Sequence, residues 1–256
     1  MARDSRVTYH RRDHNVGAIG NYQLALASVE TTYFVPVADD DWLLPDFLND
    51  AYRLLESHAE VGAAVFMTEH RDERGASLGT YPATPERIRF GLLQPREHLT
   101  DWMSFGHYAW SSILWRRETL GSVGAPYMCT GLPSDVDFQA QIFAAWPVYL
   151  VDRPGAVYLS HSGQSSAGYD VSRVTSWATL FQRLDRAVAR HDLFSRDDYR
   201  RLRRIMLERF RDTWRMTGTV RLPLRKRVAV AYAAGIRLDD RETAMSILRG
   251  TRSESR

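Results

Sequence analysis

Apolar residues recur along this chain at two spacings, and the switch between them predicts its elements. Val7 to His10 are short and β-prone. A helix opens at Asn15-Val-Gly-Ala-Ile-Gly20 and runs to about Glu30, with Ile19, Tyr22 and Ala25 on its inner face. Thr32 to Ala38 reads as a buried strand, although Pro36 cannot donate to a ladder. Pro45 is expected to start a helix through Ser57, with Phe47, Ala51, Leu54 and Leu55 at helical spacing. Val61 to Met67 is a second buried strand. Residues 68–108 read as irregular, with a turn at Glu73-Arg-Gly75 and one or two short helices. Ser111–Arg116 is a strand candidate, Pro133–Ala145 a helix, and Pro147–Val151 and Ala156–Leu159 two further strands. This alternation predicts an α/β fold with a mostly parallel sheet flanked by helices.

After Gly168 the period changes. Val174, Trp177, Phe181, Leu184 and Val188 recur at alternating spacings of three and four, which predicts an amphipathic helix. Ser195 and Asp198 form a capping box for a second helix to about Met216, with two shorter helices expected beyond. The expected division is therefore an α/β domain over residues 1–168 and an α-helical C-terminal appendage over 169–256.

Composition narrows the class. With 256 residues, 44% hydrophobic and 25% charged, the chain can bury a substantial core, which excludes disordered and collagen-like proteins. The lone cysteine, Cys129, excludes an internal disulfide or a cysteine-built zinc site. The apolar run Val228–Ile236 is too short to cross a bilayer, and the polar N-terminus resembles no signal peptide, so a cytoplasmic protein is expected. Charge is uneven: residues 1–171 carry 13 basic and 21 acidic side chains, residues 172–256 carry 21 and 10. Arg200–Arg204 and Arg225–Arg227 lie near apolar faces and could rest on an anionic membrane surface or pack against the acidic half.

Asp39-Asp40-Asp41 is the most informative chemical feature. Three carboxylates at the end of an apolar strand fall at the carboxyl edge of the sheet, where open α/β sheets bind ligands. Because side chains alternate along a strand, one or two of them are expected to face the crevice. Their repulsion calls for a cation or hydrogen-bond donors, and oxygen-rich sites suit Mg²⁺ or Mn²⁺. The plainer alternative is an acidic loop favoured by the positive end of the helix after Pro45.

Asn15-x-Gly17, Gly20-Asn21 and the segment Tyr33-Phe-Val-Pro-Val-Ala-Asp-Asp-Asp-Trp-Leu-Leu-Pro45, followed by Ser134-Asp135-Val-Asp137 and Tyr158-Leu-Ser-His161, together resemble the family 2 glycosyltransferases of GT-A fold. The resemblance implies a GT-A-like sheet and a nucleoside-diphosphate sugar as donor. It also implies a divalent cation, and a hydroxyl acceptor on a sugar or lipid-linked carrier, as in cell-envelope polysaccharide or glycolipid synthesis. The family's Asp-x-Asp falls on Ala38-Asp39-Asp40, so Asp40 is the expected metal-contacting carboxylate and Asp39 and Asp41 support metal or donor. Asn15, Gly17 and Asn21 are donor-binding candidates, and His161 is a metal or diphosphate contact. The family's base maps to Asp135, with Asp137 as second choice; the plainer role for Ser134 or Asp135 is a helix cap.

In that scheme, a cation at Asp40 offsets charge growing on the departing diphosphate. A separate carboxylate takes the acceptor's proton, and direct displacement inverts the anomeric carbon. The family usually precedes the Val7 segment with a further strand, helix and strand, so the nucleotide-binding half is expected to be incomplete at its N-terminal side. The competing expectations are an inactive sugar-nucleotide-binding protein and nucleic-acid binding through the basic helices.

Overall fold

A computed structural model describes residues 4–83, 85–131, 133–163 and 171–216, as backbone alone at 171–175, 178, 207 and 209–216. In chain order the elements are α1 (Gly17–Ala27), β1 (Tyr33–Phe34), β2 (Trp42–Leu43), α2 (Phe47–Ser57), β3 (Ala63–Asp72), β4 (Ser77–Tyr81) and β5 (Gly91–Leu93). They continue with α3 (Pro95–Phe105), β6 (Ile113–Arg116), α4 (Leu120–Val123), α5 (Ser134–Ala145), β7 (Val148–Ser160), α6 (Val171–Arg190) and α7 (Arg196–Met216). The further helices expected beyond Met216, and the Arg225–Arg227 cluster, lie outside the described residues.

The sheet runs β1-β6-β3-β7-β2, with β4 added to β3 and β5 to β7. Helices flank it, as the α/β reading predicts, but the expected predominance of parallel pairing does not hold. Among the described residues only β3 and β7 pair in parallel; the other five pairings are antiparallel. A parallel neighbour needs a long crossover. The segment from β3 through α5 to β7 supplies one, whereas β3 and β4 are joined by a short hairpin turn.

The sheet is buried on both faces, which accounts for the unbroken apolar run before Thr68. Alternation along β3 sends Ala64 and Phe66 to one side, where Phe47, Ala51 and Leu55 of α2 cover them. Ala63, Val65 and Met67 point the other way, into a larger core shared with Trp102 of α3, Phe138, Ile142 and Phe143 of α5, and Phe181 and Leu184 of α6. Leu202 and Met206 of α7 belong to that same core. Arg116, at the end of β6, donates from Nε to Val61 O at 3.0 Å and from Nη2 to Leu55 O at 2.8 Å, tying the sheet to the C-terminal turn of α2.

Several boundaries move for local reasons. Among the described residues the expected strand over Thr32–Ala38 pairs only at Tyr33 and Phe34, and Pro36 has no N–H with which to extend the ladder. Helix α2 begins at Phe47 rather than Pro45: Leu44 still donates to Gly155 O at 2.9 Å, and Asp46 turns through φ 65° before the helix starts. The segment taken as irregular holds the rest of β3, its hairpin partner β4, strand β5 and helix α3. The two strands expected within 147–159 are one, β7, bulged opposite Phe66–Thr68. Gly155 sits in that bulge, where a Cβ would meet Phe47 Cδ2 at 2.5 Å and Phe66 Cβ at 2.7 Å.

Candidate functional site

The acidic triplet immediately precedes β2, and β2 pairs antiparallel with β7 in the register Trp42↔Val157. This register carries Asp39–Asp41 alongside the end of β7. The backbone turns there, with Asp41 N–H donating to Ala38 O at 3.2 Å, so strand alternation does not govern these side chains. All three carboxylates line one cleft of about 440 Å³, instead of the one or two expected. Across the cleft stand Tyr22 of α1, His107, Trp110, and Asp135 in the first turn of α5; Tyr81 and Tyr158 complete the wall.

Each carboxylate has a different environment. Asp41 Oδ2 accepts from Ser111 Oγ at 2.6 Å and Oδ1 from Leu159 N–H at 3.3 Å, so it pins the turn to β7. Burial nevertheless raises its pKa above the usual carboxylate range. Asp40 Oδ2 lies 2.9 Å from Nε2 of His161, the first residue beyond β7. Asp39 is exposed and also borders a second groove of about 460 Å³, lined by Asn21, Tyr22, Leu26 and Phe34–Val37. The clustered charge contributes to raising the Tyr22 hydroxyl to about 12, after burial of the ring itself.

Asp135 stands in the first turn of α5, where its carboxylate accepts from its own N–H and from that of Val136, so the helix-start role considered for it is present beside its place on the cleft wall. Its burial in the cleft wall raises its pKa, opposed chiefly by the nearby His107 imidazole. Asp137, two residues on, is not brought to the cleft. It is fully buried, accepting from Arg183 Nε of α6 at 2.6 Å and from Gln141 Nε2 at 3.1 Å. Asn15 and Gly17 likewise stand outside both grooves. Asn15 Oδ1 accepts from Gly17 N–H at 2.8 Å, and Gly17 takes φ 71°, a left-handed conformation that glycine adopts without strain, so the pair shapes the entry to α1. Asn21 lines the second groove only.

Three residues of the site had no motif to mark them. His107 follows α3 in a short loop, and Ser111 anchors the acidic turn. Gln139, one helical turn below Asp135, holds the His107 loop: its Nε2 donates to Tyr108 O at 2.9 Å and its Oε1 accepts from Trp102 Nε1 at 3.2 Å. The two glutamines on the apolar body of α5, Gln139 and Gln141, were the available signal, since a buried amide needs partners. Met128 N–H donates to Gln23 Oε1 at 2.9 Å, joining α1 to the loop ahead of α5.

Among the described residues, no group of three or more His, Cys, Asp or Glu is gathered closely enough to hold a metal by itself. The Asp40–His161 pair offers two ligand atoms, so a divalent cation held there would take its remaining ligands from a bound oxyanion and water.

Residues 1–117 match the family model described as Glycosyl transferase family 2. No curated protein matches the chain.

Proposed function

We propose that this chain, whose residues 1–117 match the model of glycosyl transferase family 2, is a cation-dependent, inverting transferase moving a sugar from a nucleoside diphosphate to an acceptor hydroxyl. The observation that carries this reading is the single cleft joining Asp39–Asp41 to Asp135, which lie far apart in sequence and differ in environment.

Asp40 and His161 would hold the divalent cation, which when bound supplies positive charge to the diphosphate, with Asp39 beside them toward the donor. The first turn of α1 borders the cleft at Ala18 and Ile19, and its N-terminal dipole favours the same anion. Asp41 keeps the turn in place through Ser111 and Leu159. Asp135 accepts the proton of the attacking hydroxyl; its raised pKa makes it a stronger base than an exposed aspartate once it is ionised. Attack on the face opposite the diphosphate inverts the anomeric carbon. Among the described residues no helix is long and apolar enough to cross a membrane. The exposed Arg201 and Arg204 of α7 suit an anionic surface, in keeping with an acceptor made at the cell envelope.

The test separates the two roles. Asp40→Ala is expected to abolish cation-dependent binding of nucleoside-diphosphate sugar in titration calorimetry. Asp135→Asn is expected to keep that binding and lower transfer by about 10²–10⁴-fold. In the unsubstituted protein, kcat/KM should fall on the acid side with a midpoint above the ordinary aspartate range, because Asp135 must be ionised to act. Cation-dependent binding unchanged by Asp40→Ala, or transfer unchanged by Asp135→Asn, overturns the assignment.

A further inference from the structure

One wall of the cleft is left over once the diphosphate and the proton acceptor have been placed. It is aromatic. Tyr81 closes β4, and Tyr158 stands near the end of β7; both line the cleft that holds Asp135. Their rings meet edge to face at 6.0 Å between centroids. His70 of β3 backs both, stacked on Tyr81 at 5.1 Å and 30° and tilted against Tyr158 at 5.4 Å. The ladder fixes this trio: Tyr158 pairs with His70, and Tyr81 with Thr68 two residues earlier on β3. Three neighbouring strands thus set the rings side by side.

The second groove shares Ala18, Tyr22 and Asp39 with the cleft and lies toward α1. Neither Tyr81 nor Tyr158 borders it. The aromatic wall, like Asp135, therefore belongs to the cleft alone. We propose that this wall is the acceptor subsite and that the acceptor is a carbohydrate, one pyranose ring of which lies against Tyr81 and Tyr158 with a hydroxyl directed at Asp135. This rests on the transferase reading above and narrows it.

The chemistry of the lining selects the class. A pyranose has an apolar C–H face and an equatorial rim of hydroxyls; a tyrosine offers an apolar ring and a polar tip. Trp110, also on the cleft wall, has an indole N–H without a partner among the described residues. Ile19 and Met128 are the only larger aliphatic side chains in the lining; the rest of its apolar surface is aromatic ring and alanine, which suits the C–H face of a sugar ring better than it grips an alkyl chain. A carbohydrate carried on a lipid satisfies the same wall, provided that the sugar and not the tail enters.

Saturation-transfer NMR on the whole chain tests this, with Mg²⁺ and a nucleoside diphosphate present. The probes are a panel of methyl pyranosides, octanol and a serine-containing peptide. The expected result is saturation of ring protons in at least one pyranoside, weakened by about ten-fold or more in Tyr81→Ala and Tyr158→Ala while nucleoside-diphosphate affinity stays within about two-fold. If either variant fails to fold, ring-labelled tyrosine in the unsubstituted protein replaces it: the pyranoside should shift the Tyr81 and Tyr158 ring resonances. Binding of octanol or peptide in place of every pyranoside, or pyranoside binding indifferent to both tyrosines, overturns the proposal and leaves the transferase reading standing. Loss of nucleoside-diphosphate binding in the unsubstituted protein overturns both.

Discussion

His98 lies fully buried in α3, its ring parallel to Tyr108 and edge-on to Phe143 at 4.4 Å, with neither ring nitrogen hydrogen-bonded among the described residues. Burial depresses its pKa from 6.5 to about 3. The folded protein therefore keeps this imidazole neutral where the unfolded chain takes up a proton. Stability contributed by the neutral ring is intact above pH 6.5 and declines as pH falls from there toward 3. Replacing His98 with Phe keeps the aromatic packing and removes the proton. Urea midpoints measured against pH are expected to fall less steeply on the acid side in His98→Phe. At this scale the sequence was only partly legible. Asp40 and Asp135 could be singled out from motif order, but Asp137 carries the same letter and lies two residues from Asp135. Only burial beside Arg183 distinguishes a structural carboxylate from one on the cleft wall.

The Asp137–Arg183 pair joins α5 to α6, and it shows how elements hold the site. Arg183 also donates from Nη2 to Val123 O at 3.3 Å, so one guanidinium links α6, α5 and the end of α4. Deleting one partner of a buried pair costs about 3–5 kcal/mol, much of it from the charge left behind. Asp137→Ala is expected to lose stability in that range by chemical denaturation. Asp137→Ala combined with Arg183→Met should recover part of it, since the stranded cation is gone. Had Asp137 been a base, the double variant would regain stability without activity; as a strut, it should regain both. Element existence was largely readable from periodicity, as α5, α6 and the Ser195–Asp198 box of α7 show. Ser195 Oγ accepts from Asp198 N–H at 3.2 Å, as that box requires. The hairpin of β3 and β4 was not readable. Glu69-His-Arg-Asp72 continues β3 beyond its apolar run because pairing with both β4 and β7 holds it extended, a long-range cause invisible to a local window.

For the molecule as a whole, the cleft gathers residues from α1, the acidic turn, the loops around α3 and β6, the start of α5 and the end of β7. A ligand that bridges these segments stabilises all of them together. At about 100 times its Kd, a ligand that binds only the folded chain adds about 2.7 kcal/mol. For a chain of this size that is a rise in Tm of about 5–10 °C. Nucleoside diphosphate with Mg²⁺ or Mn²⁺ is expected to produce such a rise in a thermal scan, and either alone much less; in Asp40→Ala the difference should vanish. Charge also takes its meaning at this scale. Arg203, within the basic Arg200–Arg204 cluster, is buried and paired with Asp185 at 2.6 Å, so part of a cluster that read as an external patch fastens α7 to α6.

Alternating apolar residues, helical stripes and turn residues determined the helices, the buried strands and the α/β class, because these follow from interactions within a few residues. The order of short motifs likewise marked an acidic turn and a later carboxylate as partners. What only the tertiary structure decided was pairing direction and company. The sheet is mostly antiparallel, three successive aspartates share one cleft through a turn, and Asp135 faces that cleft while Asp137 faces Arg183. Register between β2 and β7, and the packing of α5 against α6, set those outcomes. Both are contacts between residues distant in the chain, whose energies no local stretch of sequence contains.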